Sequence, residues 1–296
     1  MRRLAATCHF AAVLIALVSL VGASPLQAAE GDDTHHIERI DWSFAGFGGQ
    51  YDRAQLQRGF QVYQQICAAC HSLKRVRFRN LADKGGPAFP VESVKALAAS
   101  WPYTVAGELD NEGKMVERLP TLSDPIVGPY KNDKEARAIQ NGALPPDLSL
   151  VTNARGAANH APWYIHIPKM VWDIATGYQE GGADYLVALM TSYGSAPVGV
   201  QLSDGLYYNT AFPGHQLAMP PPLAKDNYIA YQEDAGATGS FEQNVRDVTA
   251  FLAWVGNPNL NARKELGWQV LFYLLITTVL LYLVKKRIWA RVKHES

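Results

Sequence analysis

This sequence of 296 residues contains few cysteines and few charged residues, and its formal net charge is zero. Three cysteines are too few for a small protein that is held together by disulfides. Charged residues form 18% of the chain and apolar residues 48%, which excludes a disordered polyelectrolyte and provides material for a folded core. Internal repeats and low-complexity tracts are absent too. The formal net charge of zero argues, as a sum, against nucleic acid as the main partner.

The zero net charge hides an uneven distribution along the chain. Residues 30–262 carry 18 Lys+Arg against 25 Asp+Glu, a net charge of −7, whereas residues 263–296 carry seven basic and two acidic residues. Acidic surfaces are often only solubilising, but they also steer basic partners toward a docking site. The sequence therefore predicts an acidic domain followed by a basic tail.

The N-terminus has the pattern of an export signal. Two arginines precede an apolar run from Phe10 to Val21, and small residues follow up to Ala29. This run is twelve residues long, is interrupted only by Ser19, and is too short to span a bilayer comfortably, so a cleaved signal peptide over residues 1–29 is predicted rather than an anchor. One of the three cysteines lies in this segment, so the mature chain would keep only Cys67 and Cys70.

A second apolar stretch near the C-terminus predicts a transmembrane helix. Gly267 to Val284 is 18 residues without a charge, about 27 Å of helix, and a basic cluster follows at once. The alternative, a buried core helix, fits the basic flank and the terminal position poorly. The expected organisation is a periplasmic domain over 30–262, a hinge and transmembrane helix over 263–284, and a cytoplasmic basic tail over 285–296. The polar hinge itself is expected at 259–265.

One motif in the predicted outer domain carries strong chemistry. Cys67-Ala-Ala-Cys70-His71 is a C-x-x-C-H sequence, the attachment pattern of a c-type haem. The two thiols add to the vinyl groups of the haem, and the adjacent imidazole becomes an axial ligand of the iron. A thioredoxin-like redox pair or a structural disulfide is the alternative, but a redox C-x-x-C normally follows a strand of a βαβ unit, and no such pattern precedes this motif.

Two helices are predicted to support the motif. Asp52 is a plausible N-cap of a helix that leads into Cys67, with apolar residues recurring on one face. Ser240 and Gln243 form a capping-box pattern at the start of a second amphipathic helix, which Gly256 and the following Asn-Pro should end. The second helix is expected to pack against the first.

The iron also needs a sixth ligand or an open site. The predicted mature chain offers methionine at positions 115, 170, 190 and 219, besides several histidines. Met219 stands out because three prolines follow it and stiffen the loop. A thioether ligand would raise the reduction potential and close the iron to substrates, but a methionine before prolines can equally be loop packing.

Four segments, in order, resemble the cytochrome c1 family. This family is the c-type haem subunit of the quinol–cytochrome c reductase (cytochrome bc1) complex. The resemblance covers most of the chain from about residue 41, including the tail anchor with its basic flank. The segments are Arg58–His71 (RGFQVYQQICAACH), Asn141–Ser149 (NGALPPDLS), Gly205–Asn209 (GLYYN) and Phe212–Leu223 (FPGHQLAMPPPL).

The resemblance implies a role for each candidate site residue. Cys67 and Cys70 would form the thioethers, His71 would be the proximal iron ligand and Met219 the distal one. Arg155 lies in the position where the family has an arginine near a haem propionate, although a solvated surface arginine is the plain alternative. The segment around Asn141, Pro145 and Pro146 would pack around the haem edge. No catalytic residue is expected.

The implied protein has an all-α, cytochrome c-like haem domain with long irregular loops and one C-terminal transmembrane helix. It would take single electrons from a Rieske iron–sulfur protein and pass them to a soluble or anchored cytochrome c, beside cytochrome b in a dimeric complex. The bacterial inner membrane is the expected location, with the haem domain periplasmic and the C-terminus cytoplasmic. Two other hypotheses stay open: a stand-alone anchored cytochrome that feeds a terminal oxidase, and a haem sensor or enzyme with an open iron.

Two features depart from the family pattern. An aromatic-rich insert separates Arg155 from Gly181, where shorter members pass almost directly from one to the other. The insert is expected to be a loop packed on the domain or a partner-binding surface. A second cysteine pair, which some bacterial members use as a disulfide, is missing, so packing must hold the distal loop.

Overall fold

A computed structural model describes residues 37–156, 162–176, 181–223, 229, 231 and 239–292. The predicted signal peptide and the last four residues of the predicted tail lie outside these ranges. Within them, the chain forms eight α-helices and six short strands. The helices are α1 Arg53–Gln65, α2 Val91–Ala99, α3 Asp133–Ile139, α4 Val151–Ala154, α5 Trp163–Thr176, α6 Gly181–Thr191, α7 Phe241–Gly256 and α8 Leu260–Val292; the strands are β1 Leu73–Arg77, β2 Val105–Leu109, β3 Met115–Arg118, β4 Pro125–Ile126, β5 Tyr207–Tyr208 and β6 Gln216–Leu217.

The core is built on the packing of α1 against α7, as the sequence predicts. The carboxylate of Asp52 caps α1 by accepting from two backbone N–H groups of its first turn. Gly59 permits the close approach of the two helices, because a Cβ there would lie 2.0 Å from the carbonyl oxygen of Asp247 in α7. Phe60 and Tyr63 pack on Phe251, with ring centroids 5.5 and 5.9 Å apart.

An ion pair crosses the interface between α1 and α7. Arg58 Nε lies 2.7 Å from Asp247 Oδ2, and the Asp247 side chain is fully buried. Gln243 Nε2 donates to the same carboxylate at 2.8 Å, so the buried charge is paired and hydrogen-bonded. Ser240 caps α7 by accepting from the N–H of Gln243 at 3.2 Å, and the helix ends at Gly256 as predicted.

The strands are short and paired in twos, which confirms the all-α class with irregular connections. β1 pairs with β4, β2 with β3 and β5 with β6, each pair antiparallel. No sheet in the described ranges has more than two strands. The strands therefore shape loops rather than form a layer of the domain.

The C-terminal helix α8 is long and apolar enough to cross a membrane. Leu260 to Ala290 meets that length and composition, and none of its most apolar window is buried within the protein. The expected hinge at 259–265 is wrong, because α8 begins at Leu260, which is itself buried against the domain core. The helix therefore runs from the domain into the apolar stretch without a flexible break.

In the described part of the aromatic insert, residues 163–176 form helix α5, and none of these residues is buried. The prediction of a loop packed on the domain is therefore wrong, because this segment is a helix and its side chains are not buried. Pro168 lies inside this helix.

Candidate haem site

The C-x-x-C-H motif lies on a tight turn directly after α1. Residues 67–69 form a 3₁₀ turn, and the backbone N–H groups of Cys70 and His71 both donate to the carbonyl of Cys67, at 3.1 and 2.8 Å. Tyr63 of α1 donates its hydroxyl hydrogen to the carbonyl of His71 at 3.1 Å. Helix α1 therefore positions the turn in two ways: its C-terminal end leads directly into the turn, and Tyr63 on its buried face bonds to His71.

The ring of His71 is oriented by a backbone carbonyl from a distant segment. His71 Nδ1 lies 2.7 Å from the carbonyl oxygen of Pro146, and because a carbonyl only accepts, Nδ1 carries the hydrogen. The lone pair is then on Nε2. Metal-binding histidines commonly have this tautomer when their other ring nitrogen donates to a carbonyl. Burial lowers the pKa of His71, which keeps the imidazole neutral at pH 7.

The segment after His71 is clamped between two further loops. Asp147 Oδ2 accepts from the hydroxyl of Ser72 at 2.9 Å and from the N–H of Lys74 at 2.7 Å. On the other side, Gly128 lies so close that a Cβ would be 3.2 Å from both the carbonyl carbon of His71 and the nitrogen of Ser72. The backbone at His71 is therefore held from three directions.

The loop that carries Met219 is organised by Asn209, a fully buried polar residue. Asn209 Nδ2 donates to the carbonyl of Leu189 in α6 at 2.7 Å, and its Oδ1 accepts from the N–H groups of Ala211 and Phe212. The β5–β6 pair then leads the chain directly to Met219. The loop is thus tied to α6 by a side chain of the Gly205–Asn209 segment.

The backbone of Met219 is anchored by Tyr193, which lies just after the C-terminal end of α6. The hydroxyl of Tyr193 donates to the carbonyl of Met219 at 3.0 Å. Tyr193 also forms a bridge with Asn209, so the two anchors belong to one unit. This contact fixes the backbone of the loop that carries Met219.

The other methionines differ in their surroundings. Met115 on β3 and Met170 on α5 are more than half exposed. Met190 packs against the hydrophobic core from α6. The two exposed side chains lie on surface elements and are poor candidates for a buried ligand.

The residues present fit a c-type haem. Cys67 and Cys70 are both free thiols on one turn, and His71 next to them keeps Nε2 for a metal. Burial raises the pKa of the Cys67 thiol to about 12. In the described part of the chain, no group of three or more His, Cys, Asp or Glu stands together to cage a bare ion. A haem iron would need only its two axial ligands from the protein, because the nitrogen atoms of the haem ring supply the other four ligands.

Arg155 lies at the C-terminal end of α4 and is exposed. Its backbone N–H donates to the carbonyl of Val151 at 3.0 Å. Burial raises the pKa of the Tyr185 hydroxyl in α6, and the positive charge of Arg155 offsets only part of this rise. The propionate role of Arg155 stays a prediction.

Sequence reasoning missed most of the residues that position the site. The carbonyl of Pro146 and the absent side chain of Gly128 leave no signal of their own in a single sequence. Asn209 and the Pro145-Pro146 pair were noted only as parts of motifs. Tyr193 had no sequence signal, because its contact with Met219 joins two loops.

The fold and the site define a membrane-anchored c-type cytochrome. The model of the cytochrome C1 family matches residues 42–292, and the chain belongs to this family. Cytochrome c1 of Blastochloris viridis is 43% identical over 96% of this chain and 97% of its own length. Cytochrome c1 of Rhodospirillum rubrum is 39% identical, with the same shares covered. A cytochrome b/c1 of Bradyrhizobium diazoefficiens is 41% identical over 94% of this chain, which spans 40% of that longer protein.

Family membership establishes the activity. Proteins of the cytochrome c1 family carry a covalently bound c-type haem and are the electron-transfer subunit of the bc1 complex. The chain is therefore a haem electron carrier of that complex, with one candidate membrane helix as its anchor. A stand-alone cytochrome is not favoured by these relatives.

Proposed function

We propose that Cys67 and Cys70 bind the haem through thioethers and that His71 Nε2 and the Met219 thioether are its axial ligands. The hydrogen bond from His71 Nδ1 to the carbonyl of Pro146 carries this proposal, because it presents Nε2 as a neutral donor. The short turn at residues 67–69 supports the thioether roles, since it places both thiols next to that imidazole.

The bound haem supplies a metal that takes up and releases one electron. The chain's own residues hold the ligands still. Pro146 fixes the tautomer and the ring plane of His71, Tyr63 and Gly128 fix its backbone, and Tyr193 fixes the backbone of Met219. With His71 and Met219 as its ligands, the iron would have no open position for a substrate and would serve electron transfer alone.

Arg155 is proposed to pair with a haem propionate. The residue is exposed and no carboxylate partner among the described residues forms an ion pair with its guanidinium. A guanidinium matches a carboxylate in geometry and charge, and it keeps its charge at any physiological pH. The pairing would stabilise the ionised propionate beside the haem.

The proposed partners follow the order of electron flow. A Rieske iron–sulfur protein delivers single electrons, a cytochrome c accepts them, and cytochrome b contributes quinol oxidation within a dimeric complex. The relative whose name joins b and c1 supports a cytochrome b partner. The acidic domain, with 25 Asp+Glu against 18 Lys+Arg over residues 30–262, suits a basic cytochrome c.

The proposed topology follows the ends of the chain. Residues 1–29 are a cleaved signal, 30–262 form the periplasmic haem domain, 263–284 contain the helix that crosses the bacterial inner membrane, with Gly267–Val284 as the uncharged span, and 285–296 are cytoplasmic. The cluster of Lys285, Lys286 and Arg287 supports this sidedness through the positive-inside rule.

Co-purification tests the assembly. The chain, tagged at its C-terminus, is isolated from membranes in mild detergent, and reduced-minus-oxidised spectra are recorded. We expect b-type haem and a Rieske iron–sulfur signal in the same preparation as the c-type haem. Recovery of c-type haem alone, with b-type haem left in the unbound membrane fraction, would contradict the proposed partners.

A further inference from the structure

Helix α5 exposes an extensive apolar surface. Eight of its large apolar side chains are exposed, and Trp163, Ile167 and Trp172 are exposed by 80%, 67% and 65%. A contiguous apolar surface of this kind on a soluble domain marks a binding surface. The eight residues are Trp163, Tyr164, Ile165, Ile167, Met170, Val171, Trp172 and Ile174.

The amphipathic pattern of α5 is inverted relative to a helix of a water-soluble domain. His166, Lys169, Asp173 and Thr176 recur at i, i+3, i+7 and i+10, so they form one narrow polar stripe. Asp173 and Thr176 are among the few α5 residues that are partly buried, whereas the large apolar residues are exposed. At its C-terminal end, α5 therefore turns its polar stripe toward the protein and its apolar face outward, against the usual rule.

The C-terminal end of α5 lies beside the loop that is fastened to the membrane helix. The carbonyl oxygen of Thr176 is 3.9 Å from the place that a Cβ would take on Gly46. Lys264 of α8 donates from Nζ to the carbonyls of Phe44 and Gly49, at 2.6 and 3.1 Å, and so holds both ends of this loop. Lys264 precedes Gly267, the start of the uncharged stretch, by three residues, about 5 Å along the helix.

We propose that α5 lies in the interface of the same bilayer that α8 crosses, with its apolar face against lipid. The loop at residues 44–49 contacts the C-terminal end of α5 on one side and Lys264 of α8 on the other, which places that end of α5 near the start of the membrane span. Its aromatic residues, two Trp and one Tyr, are of the type enriched where a membrane meets water. Lys169 and Asp173 are its only formal charges and cancel, so α5 carries no net charge into the interface.

An apolar helix in the interface gives the domain a second membrane contact beside its anchor. With α8 alone the domain would meet the bilayer only at the start of the span and could tilt together with that helix, whereas α5 on the bilayer would fix the tilt. The proposal rests on the membrane anchorage by α8 and is independent of the haem ligands and of the electron partners.

Site-directed spin labelling of the complex tests the proposal. Ile167→Cys and Met170→Cys are each introduced into the full chain, and the isolated complex is labelled with a nitroxide and reconstituted in phosphatidylcholine nanodiscs. The unsubstituted complex, treated in the same way, gives the background. Power saturation then compares the accessibility of each label to oxygen, which partitions into lipid, with its accessibility to a water-soluble nickel chelate. Glu112→Cys in the β2–β3 turn is the water control, and Leu275→Cys within α8 is the lipid control.

We expect the ratio of oxygen to nickel accessibility at Ile167 and Met170 to be several-fold above that of Glu112 and to approach that of Leu275. A ratio equal to that of Glu112 would mean that α5 faces water and would overturn the proposal. Low accessibility to both reagents, with an immobilised spectrum, would mean that a protein subunit covers α5 and would also overturn it. A water-like ratio at Leu275 would overturn the anchorage by α8, on which the proposal rests, while leaving the electron-transfer function intact.

Discussion

The hydroxyl of Tyr193 donates a hydrogen bond of 3.0 Å to the carbonyl of Met219. Tyr193 lies just after α6, so this bond ties the candidate distal ligand to a helix that packs on α7. The bond acts on the backbone and leaves the thioether of Met219 available to a metal.

Tyr193→Phe removes this bond while keeping the ring. We expect a loss of about 1 kcal/mol of stability in the distal loop and faster binding of carbon monoxide to the reduced haem, because Met219 dissociates more often. Stopped-flow mixing with carbon monoxide measures the rate. Tyr164→Phe on the exposed α5 is the matched control and should leave the rate unchanged. Equal rates in both variants would show that Tyr193 has no positioning role.

Met219→Leu removes the proposed distal ligand with little change in volume. We expect the reduction potential to fall by a few tenths of a volt, within the roughly 0.8 V range that axial ligands span, because a thioether favours the reduced iron. The reduced haem should also bind carbon monoxide at native pH. Redox titration and absorbance spectra measure both effects. Met170→Leu on α5 is the control, and a potential that matched this control would exclude Met219 as ligand.

Gly128→Ala tests the clamp on the proximal histidine. The added methyl group would lie 3.2 Å from the backbone of His71 and Ser72, so that backbone must shift by a few tenths of an ångström. We expect a destabilisation of about 1–3 kcal/mol together with a changed haem spectrum. Denaturant titration followed by haem absorbance measures both. Gly48→Ala, where a Cβ has no neighbour within 4 Å, is the control. A native spectrum and stability in Gly128→Ala would contradict the clamp.

Arg58→Met tests the buried ion pair between α1 and α7. Removing the guanidinium leaves the carboxylate of Asp247, which is fully buried, without its charged partner. We expect a loss of about 3–5 kcal/mol of stability, as for other buried pairs that lose one partner. Thermal unfolding followed by circular dichroism measures it. Lys131→Met, which breaks the exposed pair with Glu117, should have little effect because solvent screens that pair. A midpoint as high as that of the control would refute the structural role.

The acid stability of the domain should depend on Asp124. Hydrogen bonds from Arg118, followed by those from Thr121, hold the pKa of the Asp124 carboxyl well below its usual range, against the opposing effect of burial. A carboxyl with a lowered pKa stabilises the fold above its unfolded pKa of about 3.9 and loses that contribution as the pH falls through its folded pKa. Asp124→Asn should therefore lower the melting temperature at pH 7, with the difference shrinking below about pH 4. Melting curves from pH 3 to 7 measure it, and a difference that grew toward low pH would contradict this account.

The helices that carry the site could be predicted because their signals are local. The cap at Asp52 and the apolar spacing before Cys67 depend on residues within a few positions of each other, and the structure confirms helix α1. The uncharged stretch after Gly267 predicted a helix long enough to span a membrane, and α8 contains it. The predicted hinge failed because Leu260 is buried by distant residues, which a local pattern of polar residues does not show.

The sequence by itself determined the cofactor chemistry, the family and the anchor, since the C-x-x-C-H motif and an uncharged helix act over one turn or one span. Only the tertiary structure decided what holds His71 and Met219. The partners of these residues, the carbonyl of Pro146 and the hydroxyl of Tyr193, lie 75 and 26 positions away. It also decided that α5 turns its apolar face outward, because exposure depends on what the rest of the chain covers. Periodicity defines the faces of a helix, but packing determines the surroundings of each face.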